Sequence, residues 1–351
     1  MVSLIIPVFY KNKHSFIYKR ALELIQKFSN HSKFELIIAD ASKKSLLSSS
    51  AKNVKILHTY SEDKIFSPAK ARNQGSLWAT QKYLFFFDVD LDYDLEFEIN
   101  LFEAIYQQLE TNQTPFILIS FLYLTPQGTK LFESTKCLAS LKESFLRGEN
   151  QWVESISPNS NAMVISKAYF EKLGRFSEDF LGHGGEDYEF LHRLVALNPK
   201  FCKNPDYYTD YKNPFVANYK GFRTYMAYYS LPHFFKNLIL LHRWHPRPLN
   251  NKFYLRRIPN ETLLQEKMKA FDEAHQDCVW QCDQNPPQIE DFITQLMQQY
   301  GYSKETFPGF FSYAKGIKPL KRPLGAKIRK FITRPKDFIK DMKIYKTFAR
   351  K

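Results

Sequence analysis

The sequence predicts an α/β fold: a mostly parallel sheet with helices on both faces, followed by a C-terminal helical extension and a basic tail. Three observations carry this. Short, continuously apolar runs alternate with stretches of helical spacing, the pattern of strands buried on both faces by crossover helices. Acidic residues follow two of these runs directly, on the edge where open α/β sheets bind ligands. The excess of positive charge is confined to one end of the chain.

The elements follow in order. "SLIIPV" (3–8) is the first strand; it has no basic leader and no small-residue cleavage site, so it reads as a strand rather than a signal peptide. "SFIYKRALELIQKF" (15–28) has helical spacing, and "FELIIA" (34–39) is a second strand ending on Asp40. "VKIL" (54–57), a helix over 69–81 and the strand "YLFFF" (83–87) come next. Asp88, Asp90, Asp92 and Asp94 then occupy alternate positions. "FILISFLYL" (116–124) has the length of one buried strand, and it is the longest apolar run, well short of the roughly 20 residues that span a membrane. "NAMVIS" (161–166) and "LILLHRWHP" (238–246) are further strand candidates. Residues 251–314 are polar and helix-like, with a break at "NPP" (285–287).

With 351 residues, 44% hydrophobic and 16% aromatic, the chain has material for one large core or two smaller ones. Its four cysteines form no disulfide framework, and Cys278 and Cys282 lack a second ligand-spaced pair, which points to a reducing cytoplasm. The net charge of +14 suggests nucleic acid until it is located. Residues 315–351 hold 14 Lys and Arg against two Asp, so the body is close to neutral and no nucleic-acid partner is expected of it.

Two stretches carry chemistry. Residues i and i+2 of a strand point the same way, so Asp88 and Asp90 can reach one hard cation, although aspartates also populate ordinary turns. Asp92 and Asp94 read as solvated turn acids beyond them. In "FLGHGGEDYEFLHRL" (180–194), Gly182, Gly184 and Gly185 deliver Glu186 and Asp187 to a helix start. Acids also cap helices, but capping rarely needs three glycines.

"SLIIPVFYKN", "LIIADAS", "SPAKARNQG", "YLFFFDVD" and "PNSNAMVISKAYFEKLGRFSEDFLGHGGEDYEFLHRL" together resemble, in order, GT-A fold, family 2-like nucleotide-sugar glycosyltransferases. The second half is most similar to capsule-type bacterial members and to galactosyl- and N-acetylgalactosaminyltransferases with a "GGED" turn. The resemblance covers residues 1–250 and implies a nucleotide-binding half (1–95) and an acceptor half (96–250). It implies that Pro7, Phe9, Asp40, Lys70, Arg72, Asn73 and Asp88 meet the nucleotide sugar, with "DAS" offering one acid where the family usually has two. It implies Mn²⁺ or Mg²⁺ on Asp88, Asp90 and a late histidine, His245 in preference to His242. Asp187 would be the base that deprotonates the acceptor hydroxyl, with Glu186 binding acceptor hydroxyls or supporting it. Trp152 and Trp244 could face a sugar, though core packing suits each. The implied reaction is metal-dependent, inverting transfer from a UDP-sugar to a cell-surface or capsular glycan.

The tail adds a location. Ile328, Phe331, Ile332, Ile339, Met342 and Tyr345 would form an apolar stripe among lysines, with a kink at Pro335. Such a helix suits an anionic membrane surface or a partner enzyme, placing the protein at the inner face of the cytoplasmic membrane, near an acceptor that hangs on a lipid. Two rival readings stand beside this one. A nucleotidyltransferase would show a Gly-rich basic loop after strand one, and "PVFYKNKHS" has no glycine. A nucleic-acid-binding protein would rest on the tail alone.

Overall fold

The structure, a computed structural model, describes residues 1–60, 65–158, 162–246, 252–320, 324–333, 335 and 338–339. Met342 and Tyr345 of the apolar stripe lie outside them.

The strands are β1 (Val2–Val8), β2 (Phe34–Asp40), β3 (Val54–His58), β4 (Tyr83–Phe86), β5 (Leu91–Asp92), β6 (Phe116–Leu118), β7 (Ser120–Leu124), β8 (Val153–Ser157), β9 (Met163–Ser166), β10 (Asp210–Tyr211), β11 (Lys220–Gly221) and β12 (Ile239–His242). The main sheet has the order β3-β2-β1-β4-β9-β6; its first four strands are parallel, and β9 runs antiparallel to both neighbours. A second sheet, β5-β12-β7-β8, stands beside it.

Every residue of β1 and β2 is buried, as a continuous apolar run requires when both faces are covered. Alternation then assigns the faces. Ile5, Ile37, Leu84 and Phe86 join one core, while Leu4, Ile6, Leu36, Ile38 and Phe85 join the other. Helices α1 (Phe16–Phe28) and, after α2 (Pro68–Trp78), α3 (Leu95–Ala104) bury Leu24 and Phe97 in the second core. Helices α4 (Pro126–Thr135), α5 (Ala139–Leu146), α6 (Lys167–Lys172), α7 (Glu186–Leu197) and α8 (Phe222–Phe235) contribute to the first.

The C-terminal helices are not separate from this body. After α9 (Lys252–Leu255), α10 (Arg257–Ala274) and α11 (Ile289–Gln299) bury Met268 and Ile293 in the same core as α7 and α8. The last described helix is α12 (Leu324–Thr333).

Two expectations are corrected. "FILISFLYL" is not one strand: it breaks at Ile119, so that β6 lies in the main sheet and β7 in the second. Asp92 is not a solvated turn acid either. Only 9% exposed, it pairs with Lys27 at 3.0 Å and lies 3.6 Å from Arg20 and 3.7 Å from Arg243, because β5 is the edge strand beside β12. Asp94 caps α3, accepting from the Phe97 amide at 3.2 Å.

Candidate active site

A cavity of about 410 Å³ opens beyond the carboxyl ends of β1 and β4, where parallel sheets bind ligands. Pro7, Phe9, Arg72, Asp88, Asp90, Glu186, Asp187 and His245 line it, so residues from distant parts of the sequence meet there. Phe9 stacks on Phe66 (5.5 Å, 15°), which stacks in turn on Phe253 (5.8 Å, 26°), giving one wall an aromatic face.

Asp40, Lys70 and Asn73 do not line this cavity. Asp40 is fully buried: its carboxylate accepts from the Tyr10 hydroxyl at 2.6 Å and the Ser42 amide at 2.9 Å, which leaves it no face for a nucleotide. Asn73 is also buried, donating to Phe176 O and Glu178 and accepting from the Phe176 amide, and so it clamps α2 to the segment before the glycine turn. Lys70 takes a position on α2 with its amide donating to the Ser67 cap.

Arg72 joins the two acidic stretches. Its guanidinium is buried and donates to Asp88 at 2.9 Å and to Glu186 at 3.0 Å. Asp88 therefore lies against an arginine rather than in the histidine cluster described below. Burial and neighbouring Asp187 push Glu186 up to about 7, against the pull of Arg72. Its Oε2 is buried without a hydrogen-bond partner among the described residues. Burial also raises Asp187, with Arg72 opposing, while the Tyr188 amide donates to its Oδ1 at 2.9 Å.

The glycine turn owes its shape to specific contacts. Gly185, at φ +106°, is the cap of α7, and a Cβ there would lie 2.5 Å from the Phe180 ring. The Gly182 amide donates to Phe66 O and the His183 amide to Phe253 O, both at 2.9 Å. From α10, the Asn260 side-chain amide reaches Leu181 O (3.0 Å), His183 O (3.3 Å) and Gly184 O (2.7 Å).

Asp90, His242 and His245 form the group among the described residues able to hold a metal ion. Asp90 Oδ2 lies 3.1 Å from His242 Nε2 and 3.2 Å from His245 Nε2. Burial opposes the charge on Asp90, but the two imidazoles outweigh it and hold the carboxyl well below its usual range. Tyr123 packs on the His242 ring at 4.6 Å, and Phe16 stacks on His245 at 4.9 Å, fixing both rings. Asp90 Oδ1 is buried with no partner among the described residues, as a ligand atom awaiting a cation would be. A carboxylate with two imidazoles is a donor set that fits a divalent cation. The charge network of Arg20, Glu23, Lys27, Asp92, Glu133 and Arg243 lies next to this group, and the Arg243 amide donates to Asp90 O at 2.9 Å.

Sequence reading ranked His242 behind His245; their spacing of three at a strand end was the available signal. It passed over Asn260, Tyr123, Asp210 and Arg223, the last of which donates to Asp210 and to the Tyr188 hydroxyl. His183 lines the cavity, whereas His192 is fully buried against Tyr207. Trp152 packs on the core and Trp244 is exposed.

Residues 3–270 match the family described as Glycosyltransferase like family 2, beyond residue 250 and into α10. Among solved structures, S. aureus TarS is 19% identical, covering 56% of this chain and 33% of its own at a TM-score of 0.37. S. aureus TarS 1–349 in complex with UDP-GlcNAc is 14% identical, covering 78% of this chain and 92% of its own at 0.37. The mannosyltransferase PcManGT from Pyrobaculum calidifontis, in complex with GDP-Man and Mn²⁺, is 11% identical, covering 99% and 83% at 0.42. Likeness at these scores bears on neither donor nor metal. No curated protein matches the chain. The family match takes in most of the chain and both acidic stretches: the protein belongs to the glycosyltransferase like family 2 and is a glycosyltransferase.

Proposed function

We propose that the protein is a metal-dependent, inverting glycosyltransferase that moves a sugar from a UDP-sugar to a growing cell-surface or capsular glycan. The observation that carries this reading is one cavity shared by a carboxylate–imidazole group (Asp90, His242, His245) and a raised, half-buried carboxylate, Asp187. Mn²⁺ on the first group would neutralise the charge gathering on the departing diphosphate. Pro7, Phe9 and Asp88 take the donor side of the cavity, with the Phe9–Phe66 face suited to stacking a base. Arg72 holds Glu186 and Asp88 in place, so Glu186 supports Asp187 rather than reaching the acceptor itself. Asp187 takes the acceptor hydroxyl proton while that oxygen attacks the anomeric carbon. The bond to the diphosphate breaks on the opposite face, and its electron pair leaves with the nucleoside diphosphate. A single displacement inverts the anomeric centre.

The test is a panel of nucleotide sugars with Mn²⁺, followed by diphosphate release. Turnover by wild type and a loss of roughly 10²–10⁴-fold in Asp187→Asn, with donor binding retained, is expected. If no donor turns over and none binds in a metal-dependent way, the reading fails.

The same proposal places the protein at the inner face of the cytoplasmic membrane. No described helix is long and apolar enough to cross a membrane. Helix α12 exposes Ile328, Phe331 and Ile332 by 41%, 55% and 61% in a lysine-rich sequence, which suits an anionic surface carrying a lipid-linked acceptor. Deleting residues 315–351 should move the protein to the soluble fraction with donor hydrolysis intact; unchanged partition would refute the tether.

A further inference from the structure

We infer that the acceptor is an oligosaccharide rather than a single sugar, and that the units behind the reacting one occupy a second cavity beside Asp187. This rests on the glycosyltransferase reading and names the class of its acceptor.

The second cavity, of about 650 Å³, lies between the segment 205–212 and helix α10. Asp210, Lys212, Arg223, Arg257 and Glu261 line both cavities, so the two share a wall. That wall runs from Tyr188, adjacent in sequence to Asp187, through Arg223 to Asp210. A ligand lying across it has one end at the base and the other among residues no donor would touch.

The chemistry of the second cavity favours uncharged polyhydroxyl chains. Its charges come largely as pairs: Arg223 with Asp210, and Arg257 with Glu261 at 2.9 Å. Paired guanidinium and carboxylate groups offer donors and acceptors side by side, as vicinal hydroxyls require, without a net field that would select an ion. Tyr211 is 45% exposed and supplies a ring that can pack on a sugar face, while Gln265 adds an amide.

The segment is also built to hold its shape. Strands β10 and β11 pair Asp210 with Gly221 and Tyr211 with Lys220. Gly221 has φ +70°, and a Cβ there would fall 1.9 Å from Thr209 O, so only glycine permits this closure. Tyr207 is fully buried against Trp280, and the Tyr208 hydroxyl donates to Asp272 at 2.7 Å. A rigid cleft of this size is within the usual range of ligand sites, roughly 300–1,000 Å³. Helix α10 carries both Glu261 of the cleft and Asn260 of the glycine turn, so one helix positions both ends of the acceptor.

The experiment uses the full chain with Mn²⁺ and UDP on an array of mono- to hexasaccharides, comparing wild type with Tyr211→Ala and Gln265→Ala. Wild type should bind sets of two or more units at least tenfold better than any single sugar. Tyr211→Ala should lose that gain by a similar factor while its metal-dependent affinity for UDP stays unchanged. Equal binding of single sugars and longer chains, no glycan binding at all, or glycan binding indifferent to both substitutions would each overturn the inference. UDP binding separates the two levels: without it the glycosyltransferase reading itself falls, and with it only the oligosaccharide subsite does.

Discussion

Gly184 and Gly185 are adjacent, both have positive φ, and they should respond very differently to alanine. At Gly184 (φ +85°) an added Cβ meets nothing within 4 Å, so only backbone strain is introduced. That strain is about 1–2 kcal/mol, offset by about 0.4–1 kcal/mol from a less flexible unfolded chain, leaving a net cost of about 1 kcal/mol. At Gly185 (φ +106°) the same strain is joined by overlap with the Phe180 ring, 2.5 Å from Cε1 and 2.6 Å from Cδ1. Overpacking adds about 1–3 kcal/mol, for a total near 3 kcal/mol. Urea denaturation followed by tryptophan fluorescence measures both variants. Adding Phe180→Leu to Gly185→Ala should recover most of the excess, since the two groups collide directly. Diphosphate release should fall in Gly185→Ala by as much as about 10²-fold, because a shift of about 1 Å misplaces Asp187. Equal costs at the two glycines, or no recovery in the double variant, would refute the claim that Phe180 sets the turn.

Arg72→Met should cost about 3–5 kcal/mol, because it leaves Glu186 buried beside Asp187 without its cation; a denaturation midpoint close to wild type would contradict this. The loss should be larger at pH 8 than at pH 5, where the carboxyl can take up a proton. Glu186 also sets a pH slope in wild type. Its folded value, raised from 4.5 to about 7, means the folded state holds the extra proton between those values, so its contribution is full below about 4.5 and lost as pH rises through about 7. Stability at pH 8 should fall by at most about 3 kcal/mol on this account, and Glu186→Gln should flatten the slope measured by urea titration at several pH values. His242→Ala should weaken Mn²⁺ binding, read by calorimetry, beyond the roughly 10–100-fold typical of losing an outer partner of a metal site. If only His245→Ala has that effect, His242 is packing against Tyr123 and nothing more.

Strands β1, β2 and β4 were legible because their apolar runs are continuous, and a strand buried on both faces leaves no other pattern. The glycine turn was legible because three glycines before two acids have few structural uses. Ile119 was not: both sides of the break are apolar, and the change of sheet comes from pairing with the segment around Ala162, which the local sequence does not express. Asp92 shows the same gap. Its burial depends on Arg20, Lys27 and Arg243 arriving from two distant segments. Asp40 looked like a ligand because it follows a strand, and the Tyr10 hydroxyl that claims it lies 30 residues upstream. Asn260 had no signal at all, being one polar residue in a polar helix.

The hold of Asn260 on the glycine turn decides how portable this active site is. A chain shortened to its first 250 residues would keep Asp88, Asp90, Glu186, Asp187, His242 and His245 and would still lose the clasp on the turn that carries two of them. Its inactivity would then be mistaken for the loss of a reactive group. Exchanging the C-terminal helices between relatives, as one might to transplant acceptor preference, would succeed only where the incoming helix brings a side-chain amide to the same spot. A single asparagine thus ties the C-terminal helices to the turn that carries Glu186 and Asp187.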